Sequence, residues 1–176
     1  MKLILKKELR GSILDIGGGG DGIIGRLYKD AVTAIDNMQE ELDEAPDCCK
    51  KLLMDATALD FCDESFDNVT FFYSLMFMST ETKAKSIAEA CRVLKTGGIF
   101  AIWDAEIVSA YPDAFSVELD IELCNEKVHT EYGIIGTDVA QGMTSVINMC
   151  ENEGLELLEC TESSDNFRIM FRKRSR

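Results

Sequence analysis

Basic residues are scarce in this chain of 176 residues, where 18 lysines and arginines stand against 32 aspartates and glutamates and the net charge is −14. A surface this acidic repels phosphate groups, so binding to nucleic acids and docking on anionic membranes are both disfavoured. Long apolar runs are missing too, since no stretch reaches the roughly 20 residues that a membrane-spanning helix needs. The charged first ten residues do not look like a secretory signal. We therefore expect no nucleic-acid partner and no membrane partner.

Cysteine pairs at the spacing of metal ligands are absent as well. The seven cysteines form no C-x-x-C motif, and their odd number does not suit a disulfide framework. We therefore expect no metal site, reduced thiols and a cytoplasmic location. Histidine is limited to His129, which lies in a candidate hairpin strand and which we interpret as a surface residue.

Short apolar segments rich in β-formers alternate with helical segments through the first hundred residues. The predicted strands are 12–16, 31–36, 52–54, 68–73 and 98–104, and the predicted helices are 22–29, 38–45 and 80–95. This alternation is typical of an open parallel sheet with helices on both faces. Since 176 residues is the size of one ordinary domain and no repeat or linker is visible, we expect residues 1–176 to form a single domain.

The second half of the chain has a different pattern. Residues 115–123 alternate apolar and polar side chains without a break, and 127–132 follow after a short turn, which predicts a β-hairpin. This hairpin lies in residues 105–136, which we expect to be a variable insertion. The last predicted elements are a helix at 139–150, capped by Thr137 or Asp138, and an antiparallel pair of strands at 155–161 and 167–172. An exposed edge of the hairpin would allow a homodimer.

The strongest chemical signal is the glycine-rich segment I-L-D-I-G-G-G-G-D-G-I-I-G at residues 13–25. A strand that runs into such a loop and then into a helix lets a ligand lie against bare backbone, because side-chain atoms would block its approach. Gly17, Gly19 and Gly22 also satisfy the G-x-G-x-x-G pattern of dinucleotide-binding proteins. The loop alone therefore predicts a nucleotide cofactor without selecting which one.

Acidic residues at the ends of predicted strands narrow the choice of cofactor. Asp36 ends the second strand, where a carboxylate can accept both ribose hydroxyls of an adenosine. Asp55 and Ala56 follow the third strand, where a carboxylate and a backbone amide could read the adenine edge. Asp15 lies directly before the glycine loop, where it would repel the diphosphate of NAD and attract an ammonium group. These positions favour S-adenosylmethionine over a dinucleotide.

Five segments follow one another between residues 12 and 104: I-L-D-I-G-G-G-G-D-G, V-T-A-I-D-N, M-D-A-T-A-L-D-F, S-F-D-N-V-T-F-F-Y-S-L and R-V-L-K-T-G-G-I-F-A-I-W-D. In order and spacing they resemble the successive motifs of the class I S-adenosylmethionine-dependent methyltransferases. The resemblance implies an α/β fold, a Rossmann-like three-layer sandwich with a mostly parallel seven-stranded sheet of order 3-2-1-4-5-7-6, in which strand 7 is antiparallel. It also implies methyl transfer from S-adenosylmethionine to an acceptor, which we expect to be a small molecule.

The resemblance places ten residues of this chain at the family's cofactor-binding positions. They are Asp15 at the methionine end, Gly17, Gly18 and Gly19 in the glycine loop, Asp36 and Asn37 at the ribose, Asp55 and Ala56 at the adenine, and Phe72 and Tyr73 beside the transferred methyl group. Many small-molecule members have a histidine pair where this chain has Met76 and Phe77. A catalytic base is therefore not identified from the sequence.

The segment before the first motif is also short compared with many relatives, whose extra helices cover the cofactor. Here the first predicted strand begins after about eleven residues, so we expect the cover to come from residues 105–136 or from a second subunit. Two other functions stay open at this point. One is a nicotinamide-dependent oxidoreductase that uses the same loop, which Asp15 opposes; the other is a non-catalytic cofactor-binding module of the same fold.

Overall fold

Two sheets organise the molecule in the computed structural model, which describes residues 1–175. The strands are β1 (Lys2–Ile4), β2 (Ile13–Ile16), β3 (Val32–Asp36), β4 (Lys50–Leu53), β5 (Phe66–Phe72), β6 (Leu94–Ala105), β7 (Ala110–Glu122), β8 (Lys127–Gly136), β9 (Leu155–Ser163) and β10 (Asn166–Lys173). The helices are α1 (Ile23–Tyr28), α2 (Gln39–Glu44), α3 (Thr80–Val93) and α4 (Met143–Asn152). Within this range no helix has the length and apolar character needed to cross a membrane.

The large sheet has seven strands in the order β4-β3-β2-β5-β6-β10-β9. Parallel pairing joins β4, β3, β2, β5 and β6, and β10 then runs antiparallel to both of its neighbours, β6 and β9. Counted along this sheet alone, the order is 3-2-1-4-5-7-6 with the seventh strand reversed. The predicted α/β, Rossmann-like fold is therefore confirmed.

Adjacent residues along the central strands pack into two different hydrophobic cores, one on each face of the large sheet. Leu14 and Phe71 belong to the core that includes α3 and α4, whereas Ile13 belongs to the core that includes α1 and the hairpin strands. Because both faces are covered, β5 is apolar along most of its length, as a fully buried parallel strand should be. The parallel strands are thus held rigidly, and their carboxyl ends meet at one edge of the sheet.

The small sheet consists of β1, β7 and β8. The predicted hairpin is present as β7 and β8, which are longer than expected and pair antiparallel from Glu122 opposite Lys127 to Ala110 opposite Gly136. The sequence did not predict β1, because three residues show no periodicity and their parallel partner, Asp120–Glu122, is distant in the chain. Within residues 1–175, the outer edge of β8 pairs with no other strand. A homodimer through that edge stays a prediction.

Helix α4 begins at Met143, so the predicted start near residue 139 and the predicted caps Thr137 and Asp138 were wrong. Gln141 and Ile107 exchange both backbone hydrogen bonds, at 2.9 and 2.8 Å, and this bridge keeps the chain extended past the predicted start. Gly142 is the N-cap residue, and its amide donates to the Ser145 hydroxyl at 3.0 Å. A long-range backbone contact therefore set the helix boundary against the local pattern.

Candidate active site

A cavity of about 830 Å³ opens at the carboxyl ends of the parallel strands. This volume lies in the upper part of the range of about 300–1,000 Å³ that ligand sites occupy. The cavity brings together all ten residues predicted from the sequence: Asp15, Gly17, Gly18, Gly19, Asp36, Asn37, Asp55, Ala56, Phe72 and Tyr73. It lies at the place where open α/β sheets bind their ligands.

The glycine loop leaves no room for side chains. The amides of Gly17 and Gly18 both donate to the carbonyl oxygen of Ile35, at 2.9 and 3.0 Å, which folds the loop back over β3. Gly17 has a φ of +72°, and a Cβ atom there would overlap Ser74. A Cβ at Gly18 would lie 2.5 Å from the Asp15 carboxylate. The loop is therefore a cradle of bare backbone, which suits a bound nucleotide cofactor.

Asp15 is buried at the end of β2, with 2% of its surface exposed. The Thr70 hydroxyl donates to its carboxylate at 2.7 Å. Burial raises the pKa of Asp15 to about 7, the charge of Asp36 adds to the rise, and the hydrogen bond from Thr70 opposes it. Near neutral pH this carboxyl group is thus divided between its protonated and ionised forms, whereas the sequence suggested a simple carboxylate.

Asp36 and Asp55 line the cavity from the ends of β3 and β4. Asp36 accepts a hydrogen bond from the Met38 amide at 3.0 Å, so one oxygen is oriented by its own turn. Asp55 accepts from both the amide and the hydroxyl of Thr57, each at 2.8 Å, and these bonds lower its pKa. Both side chains are therefore oriented hydrogen-bond acceptors at the cavity wall.

Phe72 ends β5 and Tyr73 follows it, and both residues line the cavity. Tyr73 has a φ of +49°, unusual for a residue with a side chain, and its hydroxyl donates to the amide oxygen of Asn166 at 2.5 Å. Its ring stacks on that of Tyr132, with centroids 5.3 Å apart and planes at 23°. The left-handed backbone conformation of Tyr73 therefore places its ring against the ring of Tyr132 on the hairpin.

The hairpin contributes Thr130, Glu131, Tyr132 and Gly133 to the cavity lining, as the expected cover from residues 105–136 requires. The hydroxyls of Thr130 and Tyr132 both donate to one oxygen of Asp21, at 2.5 and 3.1 Å. Asp21 lies at the end of the glycine loop, so a single carboxylate joins the hairpin to the loop.

A second link joins the hairpin turn to α1. The guanidinium of Arg26 donates to Glu126 at 3.1 Å and to the Asp21 carbonyl at 2.7 Å. Sequence reasoning did not single out Asp21, Thr130 or Tyr132. The available signal was weak: an acid directly after four glycines, and two residues spaced to share one face of a strand.

The comparisons with known proteins agree with this geometry. The sequence profile of the methyltransferase domain family matches residues 14–102, about half of the chain. A search of curated proteins found no match.

Among solved structures, a protein from Pyrococcus horikoshii is 15% identical, with a TM-score of 0.71 over 96% of this chain and 85% of that one. A SAM-dependent methyltransferase from Methanosarcina mazei is 18% identical, with a TM-score of 0.65 over 96% and 95%. An S-adenosylmethionine-dependent methyltransferase from Clostridium acetobutylicum is 13% identical, with a TM-score of 0.65 over 95% and 85%. At these identities the structures establish the fold, and the profile establishes the family. The chain therefore belongs to the methyltransferase domain family.

Proposed function

We propose that the cavity at the carboxyl ends of β2 to β5 binds S-adenosylmethionine through the ten residues named from the sequence and transfers its methyl group to a small-molecule acceptor. The observation that carries the proposal is that these residues, spread over almost sixty positions of the chain, line one cavity whose glycine loop has no room for side chains. A cavity of about 830 Å³ leaves space for a small acceptor beside a nucleoside cofactor.

Each residue has a defined part in this proposal. Asp36 accepts the ribose hydroxyls with Asn37 beside it, and Asp55 and Ala56 contact the adenine. The glycine loop and ionised Asp15 hold the methionine end. When bound, the cofactor supplies a methyl carbon that its sulfonium makes electrophilic.

The protein then has to hold the acceptor in line with the carbon–sulfur bond and keep water away. Phe72, Tyr73 and the hairpin strand β8 form walls on which an acceptor can be held. The link from Asp21 to Thr130 and Tyr132 keeps the hairpin over the loop. These residues therefore position the reactants and shield them from solvent.

Thermal unfolding with different cofactors tests the site. At a concentration of one hundred times its Kd, a ligand adds about 2.7 kcal/mol of stability, which for a protein of this size raises Tm by roughly 5–10 °C. We expect this rise with S-adenosylmethionine and none with NAD. A rise with NAD alone would contradict the proposal.

Incubation of the protein with methyl-labelled cofactor and a cell extract tests the class of acceptor. After separation by mass, we expect label in the low-molecular-mass fraction. Label found mainly in protein or nucleic acid would contradict a small-molecule acceptor.

The affinity for S-adenosylmethionine should rise with pH up to about 7 and then level off. The pKa of Asp15 is raised to about 7 by burial, and the cofactor's ammonium group pairs with the ionised form, so binding at lower pH must first release a proton. Calorimetry on both sides of pH 7 would measure this change. In Asp15→Asn the affinity should be lower, and it should vary less with pH.

The stability of the cofactor-free protein should fall, not rise, as the pH increases towards 7. Between the ordinary pKa of an aspartate and about 7, folded Asp15 keeps a proton that the unfolded chain has lost, so stability falls as pH rises through this range. Buried Asp104, whose pKa is raised to about 6, acts in the same direction. Asp15→Asn should therefore flatten the stability profile in part. An unchanged profile would contradict a buried, titrating Asp15.

A further inference from the structure

The carboxylate of Asp21 has one oxygen engaged and one free. Its Oδ2 accepts both hydrogen bonds from the hairpin, at 2.5 Å from Thr130 and 3.1 Å from Tyr132. Across residues 1–175, no hydrogen bond or ion pair reaches its Oδ1. Two donors on one oxygen fix the orientation of the group, which lines the cavity beside the Tyr132 ring. The cavity thus holds an oriented carboxylate with an unused acceptor oxygen.

The rings of Tyr132 and Tyr73 lie beside this carboxylate. They stack on each other 5.3 Å apart, and Phe72 packs edge-on against Tyr73 at 5.1 Å. All three rings line the cavity near the glycine loop, where the proposed function places the reactive end of the cofactor. Aromatic faces attract cations and not anions. A carboxylate oxygen together with tyrosine rings is a favourable environment for an ammonium group.

The cavity offers little positive charge to an acidic acceptor. Seven acidic residues line it, of which the cofactor would engage Asp15, Asp36 and Asp55. Among the described lining residues Arg26 is the one cation, and its guanidinium already donates to Glu126 and to the Asp21 carbonyl. A carboxylate or phosphate acceptor would therefore lie mainly among like charges, which is unfavourable.

Apart from carboxyl groups, of which the proposed function assigns Asp15, Asp36 and Asp55 to the cofactor, the described cavity lining has no group suited to removing a proton from a hydroxyl acceptor at neutral pH. His129 is the chain's one histidine, and it lies on the outer face of the hairpin, bonded to Asp120 at 2.9 Å. The pKa values of the Tyr73 and Tyr132 phenols are raised by burial, so both stay protonated. An ammonium group loses a proton far more readily than a hydroxyl group does, so an amine acceptor can be deprotonated by water before the transfer and needs no such base.

From the free oxygen of Asp21, the adjacent tyrosine rings and the excess of acids over cations in the described cavity lining, we infer that the acceptor is an amine. The inference rests on the proposed function and names the substrate class of the same site. The amine enters as an ammonium group held by Asp21 and loses a proton to solvent. Its nitrogen lone pair then forms a bond to the methyl carbon while the carbon–sulfur bond breaks and its electron pair goes to sulfur. The nitrogen now carries the positive charge and remains beside Asp21, or releases a further proton to water.

Binding of matched probes to protein saturated with S-adenosylhomocysteine tests the inference. The probes are benzylamine, benzyl alcohol and benzoate, with butylamine, butanol and butyrate as an aliphatic set, and affinity is measured by ligand-observed NMR titration. In each set we expect the amine to bind about tenfold more tightly than the alcohol, because it gains an ion pair and a cation–π contact. The acids should bind most weakly. Equal affinities, tighter binding of the acids or no binding of either amine would overturn the inference.

Two variants identify the groups responsible. Asp21→Asn removes the charge and keeps an oxygen for the Thr130 and Tyr132 hydroxyls, so it should abolish the preference for amines while weakening the binding of S-adenosylhomocysteine far less than that of the amines. Tyr132→Leu should weaken the preference, and Tyr132→Phe, which retains an aromatic face, should keep most of it. Glu118→Gln, an acid on the outer face of the hairpin beside His129, is the matched control and should have no effect.

The outcomes separate this inference from the proposed function. Asp21→Asn could retain the preference for amines over alcohols, or it could weaken the binding of S-adenosylhomocysteine as much as the binding of the amines. Either result would show that Asp21 does not bind the acceptor. The inference would then be overturned while the proposed function stands. If the unmodified protein fails to bind S-adenosylhomocysteine, the proposed function falls and the inference falls with it.

Discussion

Replacing Asp36 with alanine is expected to weaken the binding of S-adenosylmethionine on the order of a hundredfold, because two hydrogen bonds from ribose hydroxyls to a charged acceptor are lost. Asp36 lies at the end of β3 with one oxygen fixed by the Met38 amide at 3.0 Å, so the carboxylate is already oriented before the ligand arrives. Isothermal titration calorimetry would measure the change. The fold should persist, since Asp36 is partly exposed at the cavity.

Asp43→Ala is a suitable control for this experiment. Asp43 lies on α2, is exposed, and contacts Gln39 through a single side-chain hydrogen bond of 2.8 Å. Its loss removes the same charge from the same region of the surface without touching the cavity lining. If Asp36→Ala binds no more weakly than Asp43→Ala, the assignment of Asp36 to the ribose is wrong.

Gly17→Ala is expected to destabilise the protein by about 2–4 kcal/mol, from a left-handed backbone that alanine tolerates poorly and from overlap with a packed neighbour. The new methyl group would meet Ser74, whose hydroxyl donates to the Ile16 carbonyl at 2.7 Å and so cannot move freely. Binding of S-adenosylmethionine should also be lost, because the substitution changes the shape of the glycine loop. Chemical denaturation and calorimetry would measure the two effects.

Gly97→Ala separates backbone strain from crowding. Gly97 has a φ of +79°, close to the +72° of Gly17, but a Cβ there would meet no atom within 4 Å. This substitution should cost only about 1–2 kcal/mol and leave cofactor binding unchanged. Equal destabilisation by the two substitutions would show that close contact with Ser74 contributes nothing at Gly17.

The sequence predicted much of the cofactor side of the site because its residues sit at fixed points of local structure. Gly17 to Gly19 follow directly from a buried strand, and Asp36 and Asp55 come at the ends of the next two strands. Parallel strands in one sheet bring their carboxyl ends to a common edge, so a motif order along the chain becomes a set of neighbours in space. No knowledge of side-chain packing was needed to place these residues together.

The hairpin side of the cavity could not be predicted in the same way. Thr130 and Tyr132 reach Asp21 across more than one hundred residues of sequence, and the contact depends on how the hairpin folds back over the glycine loop. The sequence indicated a hairpin strand at 127–132, but not what that strand contacts. The sequence did not predict β1 or the correct start of α4 for a related reason. Each is set by backbone pairing with a segment distant in the chain.

The sequence by itself determined the α/β architecture and, through the family resemblance, the order of the central strands. It also named ten residues that the fold gathers in one cavity, because hydrophobic periodicity and glycine placement are local properties. Only the tertiary structure decided the ionisation of Asp15, the pairing of Tyr73 with Tyr132 and the free oxygen of Asp21. These depend on burial and on contacts between distant segments, which determine dielectric environment and hydrogen-bond partners. The composition already shows that basic residues are scarce. The fold gives this scarcity a chemical consequence, because it places seven acids around a cavity whose described lining includes one cation, Arg26, which is bonded to Glu126.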